Sequence, residues 1–386
     1  MKALVLHEQV PHQQTTPELA LQKQAGSSSQ IGLSSYSSSS HNASKHDGQK
    51  HGISSAQTKH YRVSIDDVPK PIPKEGEVLV RMSAAALNHR DEWIRKGQYA
   101  RIRPGVILGS DGCGVVEEVA SKADEHLLGK EVVLNPSIGW GANPRVQDRD
   151  YTILGLPVNG TFAEYCAIPA QNCFPKPQHL RAVEAAAVPL AGLTAYRAVR
   201  RHGEIQEGSR VLVTGIGGGV AQFAAQFAVA LGARVYATSG DDDKLATAIE
   251  RIGLDGGANY RTPEWYKTLV QKAGEFDCVI DSAAGNSIDT LLAMLTMGGR
   301  YVFYGATMGR PSSLNVQMIF WKQLRLQGST MGNDEEFGDM LRFIEKHHIM
   351  PIIDSVRPFD EIGTAFEAMS EGRQLGKLVL TFAPFS

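Results

Sequence analysis

The sequence predicts an α/β protein in which a small, barrel-like β part precedes a parallel sheet covered by helices on both faces. Two observations carry this. Before about position 180, short apolar runs are broken repeatedly by glycine, as in "GVILGSDGCGVVEEVA", "LLGKEVVLNP" and "GTFAEYCAIPAQNCFPKP", the pattern of short strands joined by tight turns. After it, compact apolar strands alternate with helical stretches such as "VAQFAAQFAVALGA", whose apolar residues recur three and four apart.

The elements follow in chain order. "MKALVLHEQV" reads as a first strand, its apolar run being too short for a signal peptide or a membrane span. Positions 11–59 are rich in Ser, Gly, His and Lys and have no apolar period. Such a segment buries too little surface to offset its ordering entropy and is expected to be a disordered insertion. His41, His46, His51 and His60 are read as part of that solvated linker rather than as chelators. Ordered sequence is expected to resume at Tyr61, with turn signals at Pro69, Pro71 and Pro73 and a strand over 77–83.

Further on, "RAVEAAAVPLAGLTAYRAVRRHG" is helical by composition. Strands are expected at "EGSRVLVTG", "RVYATSG", "FDCVIDSA" and "RYVFYGA", and helices at "KLATAIERIGL" and "IDTLLAMLTMGG". The tail adds two helices, "EEFGDMLRFIEKHHI" and "IGTAFEAMSEG", and a closing strand, "GKLVLTF". That strand fits neither a continuation of the parallel sheet nor a third domain, so its expected place is back in the first domain.

A chain of 386 residues is long enough for two domains with their own cores. The formal net charge of -2 gives no electrostatic case for nucleic acid or an anionic membrane. Cys113, Cys166, Cys173 and Cys278 are widely spaced without a CxxC pair, which points away from a disulfide scaffold and toward a reducing compartment. No apolar run reaches the roughly 18 residues of a membrane helix. The expectation is a soluble, cytoplasmic protein.

The most informative stretch is "RVLVTGIGGGVAQFAAQFAVALGARVYATSG". A buried strand, a glycine turn at Gly215, Gly217, Gly218 and Gly219, an apolar-faced helix and a second strand make the βαβ unit that holds a dinucleotide. Glycines keep the turn tight and let backbone N–H groups approach a pyrophosphate at the helix N-terminus. The strict G-x-G-x-x-G pattern is not met, since reading from Gly215 places Val220 last. The register that suits close helix–strand packing uses Gly218, Gly219 and Ala221. Gly218, Gly219 and Val220 are the turn residues expected at the cofactor. No G-K-[ST] follows, so a nucleotide-hydrolysing loop is not supported. The second strand ends in Thr238, Ser239 and Gly240, where an NAD site places a carboxylate, and Lys244 lies one helical turn on. This favours NADP(H), with Asp241–Asp243 read as helix-capping and dipole partners.

These segments, together with "DVPKPIPKEGEVLVRMSAAALNHRDEWIRKG", "AAAVPLAGLTAYRAV" and "FDCVIDSAAG", resemble the medium-chain dehydrogenase/reductase superfamily, and within it the zinc-independent quinone-oxidoreductase-like branch. The resemblance implies a GroES-like catalytic domain over 1–190 (with the insertion 11–59) and a Rossmann cofactor domain over 191–330. The segment 331–386 then returns to the catalytic domain, and the active site lies between the two. It also implies a homodimer formed through the cofactor domains.

Zinc-dependent members ligate their metal through positions that correspond here to Asn88, Ser110-Asp111 and a residue near Leu190. Asn, Ser and Leu do not supply the three ligands that catalytic zinc needs. Between Asn135 and Gly160 there is no cysteine for a structural zinc lobe. The side chains of His89, Asp91 and Glu92 diverge from one backbone element, so no metal is expected. By resemblance, Asn88 offers its amide to the nicotinamide or a substrate carbonyl, and Trp93 lines the cleft. His89 and Thr194 meet the cofactor's phosphate and ribose side, Ser239, Lys244 and Tyr260 hold a 2'-phosphate, and Gly305 and Ala306 face the nicotinamide. Arg90 stands where alcohol dehydrogenases relay protons through a hydroxyl.

Without a Lewis acid, an acceptor whose conjugation spreads the developing charge is easier to reduce than an isolated ketone. The expected activity is therefore reduction of a small-molecule quinone or α,β-unsaturated carbonyl by NADPH. An enoyl-thioester reductase shares the fold and the chemistry. A protein that binds NADP(H) without catalysis is the alternative of another class, and a zinc alcohol dehydrogenase would require stoichiometric zinc.

Overall fold

A computed structural model describes residues 1–9 and 60–382. The expected insertion at 11–59, with His41, His46 and His51, lies outside the described residues. Among the described residues the N-terminal region holds nine strands: β1 (Lys2–Gln9), β2 (His60–Asp67), β3 (Glu77–Ala86), β4 (Asp111–Val119), β5 (Glu131–Leu134), β6 (Ser137–Ile138), β7 (Thr152–Ile153), β8 (Tyr165–Pro169) and β9 (Cys173–Pro175). Three helices belong to the same stretch: α1 (His89–Arg95), α2 (Ala182–Ala186) and α3 (Pro189–Arg197). The helical run after position 180 is thus broken at Pro189, which opens α3 at a position where its missing N–H costs nothing.

The second region runs β10 (Arg210–Val213), α4 (Gly219–Ala230), β11 (Arg234–Ser239), α5 (Asp242–Ile252), β12 (Gly256–Asn259), α6 (Trp265–Ala273), β13 (Phe276–Asp281), α7 (Ile288–Ala293), β14 (Leu295–Phe303), α8 (Val316–Trp321) and β15 (Arg325–Gly328). The helix expected through "IDTLLAMLTMGG" ends at Ala293, because Leu295 already pairs with Phe276 in the sheet. The chain closes with α9 (Asp334–Lys346), β16 (Ile353–Pro358), α10 (Ile362–Ser370) and β17 (Lys377–Thr381).

Strands β10 to β15 form one parallel sheet in the order β12-β11-β10-β13-β14-β15. The order reverses between β10 and β13, so the crevice at their C-terminal ends is the switch point where such sheets bind ligands. β17 pairs antiparallel with β3, which brings the last strand into the seven-stranded sheet of the N-terminal region. One apolar core fills that sheet and packs α10 on it through Phe366 and Met369. A second core runs without a break from Ala84, Ala86 and Cys113 through α3 and α4 to Phe337 on α9, so the two regions share buried surface.

The loop 135–151, which carries no cysteine, is fixed by a polar clamp instead. Arg197, 2% exposed, donates to the carbonyls of Pro144 (3.1 Å) and Arg145 (3.0 Å), pairs with Glu336 on α9 and stacks over Trp140. Asn135 reaches Asp334 at 2.7 Å from the same loop.

Candidate active site

Strand β3 delivers Asn88 to the head of α1, where it is the N-cap. Its backbone N–H donates to Asp91 Oδ2 at 2.8 Å, so Asp91 ties the start of the helix. Burial pushes the Asp91 carboxyl up to about 6, against the opposing pull of Arg90 and the Asn88 N–H. The Asn88 side chain is 6% exposed, and its Oδ1 accepts a hydrogen bond of 2.7 Å from Lys377 Nζ. Lys377 is the first residue of β17 and is 4% exposed; its ammonium also lies 2.8 Å from Asp111 Oδ2, at the start of β4. Asp111 Oδ1 in turn accepts from the Leu190 N–H of α3 at 2.8 Å. Asn88, Asp111 and Leu190, three positions named from the zinc-ligand pattern, are therefore connected through one internal cation and one backbone amide.

The fourth, Ser110, is held by Arg90. That guanidinium donates to Ser110 Oγ (2.6 Å) and to the carbonyls of Leu154 (2.8 Å) and Leu156 (3.4 Å). Among the described residues, no three His, Cys, Asp or Glu side chains are grouped to hold a metal ion. An ammonium and a guanidinium repel a cation, and Asn and Leu are poor partners for one, so this donor set does not fit zinc. His89 stands alongside with its side chain open to solvent. Desolvation by the protein around it, and then the Lys377 charge, hold its imidazole below the usual value. Trp93 lies on the same helix and is 36% exposed.

The glycine turn closes the other side. Gly215 has φ of 63°, a left-handed conformation that suits glycine, and Gly218 caps α4 without a side-chain cap or any acid in the first turn. A Cβ on Gly219 would come within 2.8 Å of Lys377 Cδ, so the lysine stem runs directly over the helix N-terminus on its way to Asn88. Val220 follows, partly buried, and Ala221 is packed against the sheet at 1% exposure. The loop before β17 covers the turn: Gly376 N–H donates to Gly217 O at 2.9 Å, and Lys244 Nζ donates to Gly372 O at 2.8 Å. Lys244 thus reaches across to the C-terminal segment. Asp241 caps α5 through the Lys244 N–H (3.0 Å), in the role expected of that acidic run.

Ser239, 5% exposed, ends β11 with its Oγ accepting from the Asp241 N–H at 3.1 Å. Tyr260 OH and Arg261 Nε crowd Gly240, where a Cβ would meet them at 2.5 and 3.0 Å. Thr194 is buried on α3 with its hydroxyl 3.8 Å from Met331 Sδ. Gly305 packs so closely on the residue after β13 that a Cβ would lie 2.8 Å from Ser282 O, and Thr307, next after Ala306, donates its N–H to the same oxygen at 3.2 Å. Beneath this loop Asp281, fully buried, accepts from Thr214, from Tyr301 OH (2.6 Å) and from the Ala284 N–H (2.7 Å).

Three of these residues escaped sequence reasoning. Lys377 had one signal, a lysine opening the otherwise apolar strand "KLVLT". Asp281 had another, an acid ending "FDCVID". Arg261 had none, since its place beside Gly240 comes from the pairing of β12 with β11.

With this geometry in view, the comparisons with known proteins agree on the fold. Residues 74–178 match the alcohol dehydrogenase GroES-like domain, and residues 219–346 match the zinc-binding dehydrogenase family. The zinc-type alcohol dehydrogenase-like protein YogA of Leptosphaeria maculans is 38% identical over 83% of this chain and 95% of its own length. An acryloyl-coenzyme A reductase of Sulfurisphaera tokodaii is 29% identical over 82% of this chain and 95% of its own. A crystal structure of an NAD-dependent alcohol dehydrogenase superimposes with a TM-score of 0.79 at 36% identity, over 83% of this chain and 96% of that one. The chain belongs to the medium-chain dehydrogenase/reductase superfamily, with the GroES-like and Rossmann-like parts of that fold, and is an oxidoreductase of the alcohol dehydrogenase-like type. No helix among the described residues is long and apolar enough to cross a membrane.

Proposed function

We propose that the protein is an NADPH-dependent reductase of quinones or α,β-unsaturated carbonyl compounds that works without catalytic zinc, in line with the quinone-oxidoreductase-like branch. The observation that carries this reading is the Lys377 ammonium bonded to Asn88 and Asp111, at the positions where zinc-dependent members hold their metal. The nicotinamide cofactor fits the uncapped N-terminus of α4, which carries no acid to repel its pyrophosphate. Ser239 in place of a carboxylate, with Tyr260 and Arg261 against Gly240 and Lys244 nearby, supports the 2'-phosphorylated form. Held by these residues, a dihydronicotinamide would supply the hydride that the acceptor's β-carbon takes up. The electron pair displaced from the C=C bond collects on the carbonyl oxygen, where the Asn88 amide is placed to donate a hydrogen bond, and the α-carbon takes its proton from solvent. Conjugation is needed because an amide stabilises an enolate far less than a metal ion does.

The enoyl-thioester alternative gains support from the acryloyl-coenzyme A reductase among the relatives. Steady-state NADPH oxidation with a quinone, a simple enone, an enoyl-coenzyme A and a primary alcohol (with NADP⁺) separates the readings. Turnover of the alcohol alone, dependent on zinc, contradicts the proposal. Tight NADPH binding without turnover of any member favours the non-catalytic reading.

The proposal includes a homodimer. β15 ends the parallel sheet with no further strand beside it among the described residues, and α8 next to it exposes Val316 (60%), Phe320 (59%) and Trp321 (75%). An unpaired edge beside an apolar helix suits a second copy of the chain. The formal net charge of -2 gives no electrostatic case for nucleic acid or an anionic membrane, so the proposed ligand is a small molecule, and the proposed location is the cytoplasm.

A further inference from the structure

The orientation of the Asn88 amide is settled by its neighbour. An ammonium only donates, so the oxygen facing Lys377 Nζ at 2.7 Å is the carbonyl, and the NH₂ group points away from it. That NH₂ is buried and has no acceptor among the described residues. A buried donor without a partner is costly, and a ligand oxygen recovers that cost on binding. The lysine stem crosses the N-terminus of α4 at Gly219, so the residue that fixes this amide runs beside the turn at which the cofactor is proposed. Asp111 anchors the ammonium from the other side at 2.8 Å and is itself fixed by the Leu190 N–H.

We infer that Lys377 is a positioning residue for the reduction. By pinning and polarising the Asn88 amide it makes the NH₂ group the donor that receives the substrate's carbonyl oxygen. A cation on the acceptor side of an amide strengthens the N–H bonds formed on the other side. The lysine thereby supplies, through Asn88, part of the positive potential for which zinc-dependent relatives use a metal. This rests on the enone or quinone reading above. It goes beyond that reading in assigning the fixed charge to a residue of the closing strand and the contact to one named nitrogen.

The test uses full-length protein with three variants: Asn88→Ala, the charge-neutral pair Lys377→Met with Asp111→Asn, and the triple combination. The pair avoids leaving a lone buried charge, and far-UV circular dichroism with NADPH titration checks folding and cofactor binding. Asn88→Ala and the pair are expected to lower kcat by about 10²-fold, with the NADPH dissociation constant changed less than about twofold, and the triple variant to be no slower than either. A readout independent of turnover is the carbonyl stretching band of 2-cyclohexenone bound beside NADP⁺. It is expected at lower frequency in wild type than in water, and to move back up in both variants. An unshifted band in wild type, or a pair variant that loosens NADPH while kcat stands, overturns the inference; the latter would make Lys377 a cofactor ligand. A wild type that neither binds the enone nor turns over any conjugated acceptor overturns the substrate reading itself, and this inference with it. Turnover with a band that ignores Asn88→Ala overturns this inference alone.

Discussion

Lys377 and Asp111 form an ion pair of 2.8 Å with both side chains almost fully buried, joining the last strand of the chain to β4 beneath the proposed cofactor site. Pairs of this kind are asymmetric in their energetics. Removing one partner strands a buried charge and costs about 3–5 kcal/mol, whereas neutralising both costs much less. Lys377→Met alone is therefore expected to lose several kcal/mol in urea unfolding, and the Lys377→Met/Asp111→Asn pair to regain most of it. Additive losses would show that the charges do not interact as the geometry states.

Cofactor choice is expected to turn on the end of β11. Ser239→Asp places a carboxylate where a 2'-phosphate is proposed, and should weaken NADPH while leaving or improving NADH, as measured by fluorescence titration. Arg261→Ala and Lys244→Ala should each weaken NADPH more than NADH. Because Lys244 also holds Gly372, its removal is expected to affect NADH slightly as well. Equal losses for both cofactors would contradict the assignment.

Asp91 gives a stability prediction with a definite sign. Burial raises its carboxyl from 3.8 to about 6, so the folded state binds the proton more tightly than the unfolded chain. Its contribution is fully present below about pH 4 and is lost as pH rises to about 6, an effect of roughly 3 kcal/mol. Asp91→Asn should remove this fall. Urea midpoints of wild type and variant measured between pH 4 and 7 would have to run parallel to refute it.

The four cysteines are buried, and burial raises every thiol well above its ordinary value, to about 12 for Cys113, Cys166 and Cys278. A thiol that stays protonated is a poor nucleophile. The folded protein should react with a thiol reagent only on the timescale of unfolding, and denaturant should release all four groups. Rapid labelling of any of them in the native state would contradict the fold around it.

For the homodimer, Trp321→Glu should convert a sedimenting dimer to monomer, because a carboxylate in an apolar contact loses its hydration without a partner. An unchanged mass would place any association elsewhere.

The parts of this structure with a strong local period were readable in advance. The βαβ unit through Gly215–Gly219 and the closing strand at Lys377–Thr381 combine apolar periodicity with unambiguous turn signals. β12 and β15 were not identified, since "GGAN" and "RLQG" have no apolar pattern and become strands only by lying beside β11 and β14. The short helix α8 packs Met318 and Ile319 inward but turns Val316, Phe320 and Trp321 outward, which blurs the pattern that marks a packed helix. At the site, the residues adjacent in sequence, Asn88 to Glu92, were visible as a cluster. The partner that gives Asn88 its orientation was not, because Lys377 stands 289 positions away and meets it only through the pairing of β17 with β3.

The central claim, that the acceptor is reduced without a metal ion polarising it, is tested most directly by enone or quinone turnover on protein exhaustively chelated and assayed for residual metal. The account predicts the same kcat before and after chelation and no effect of added zinc. Activity that disappears on chelation and returns with stoichiometric zinc would contradict it.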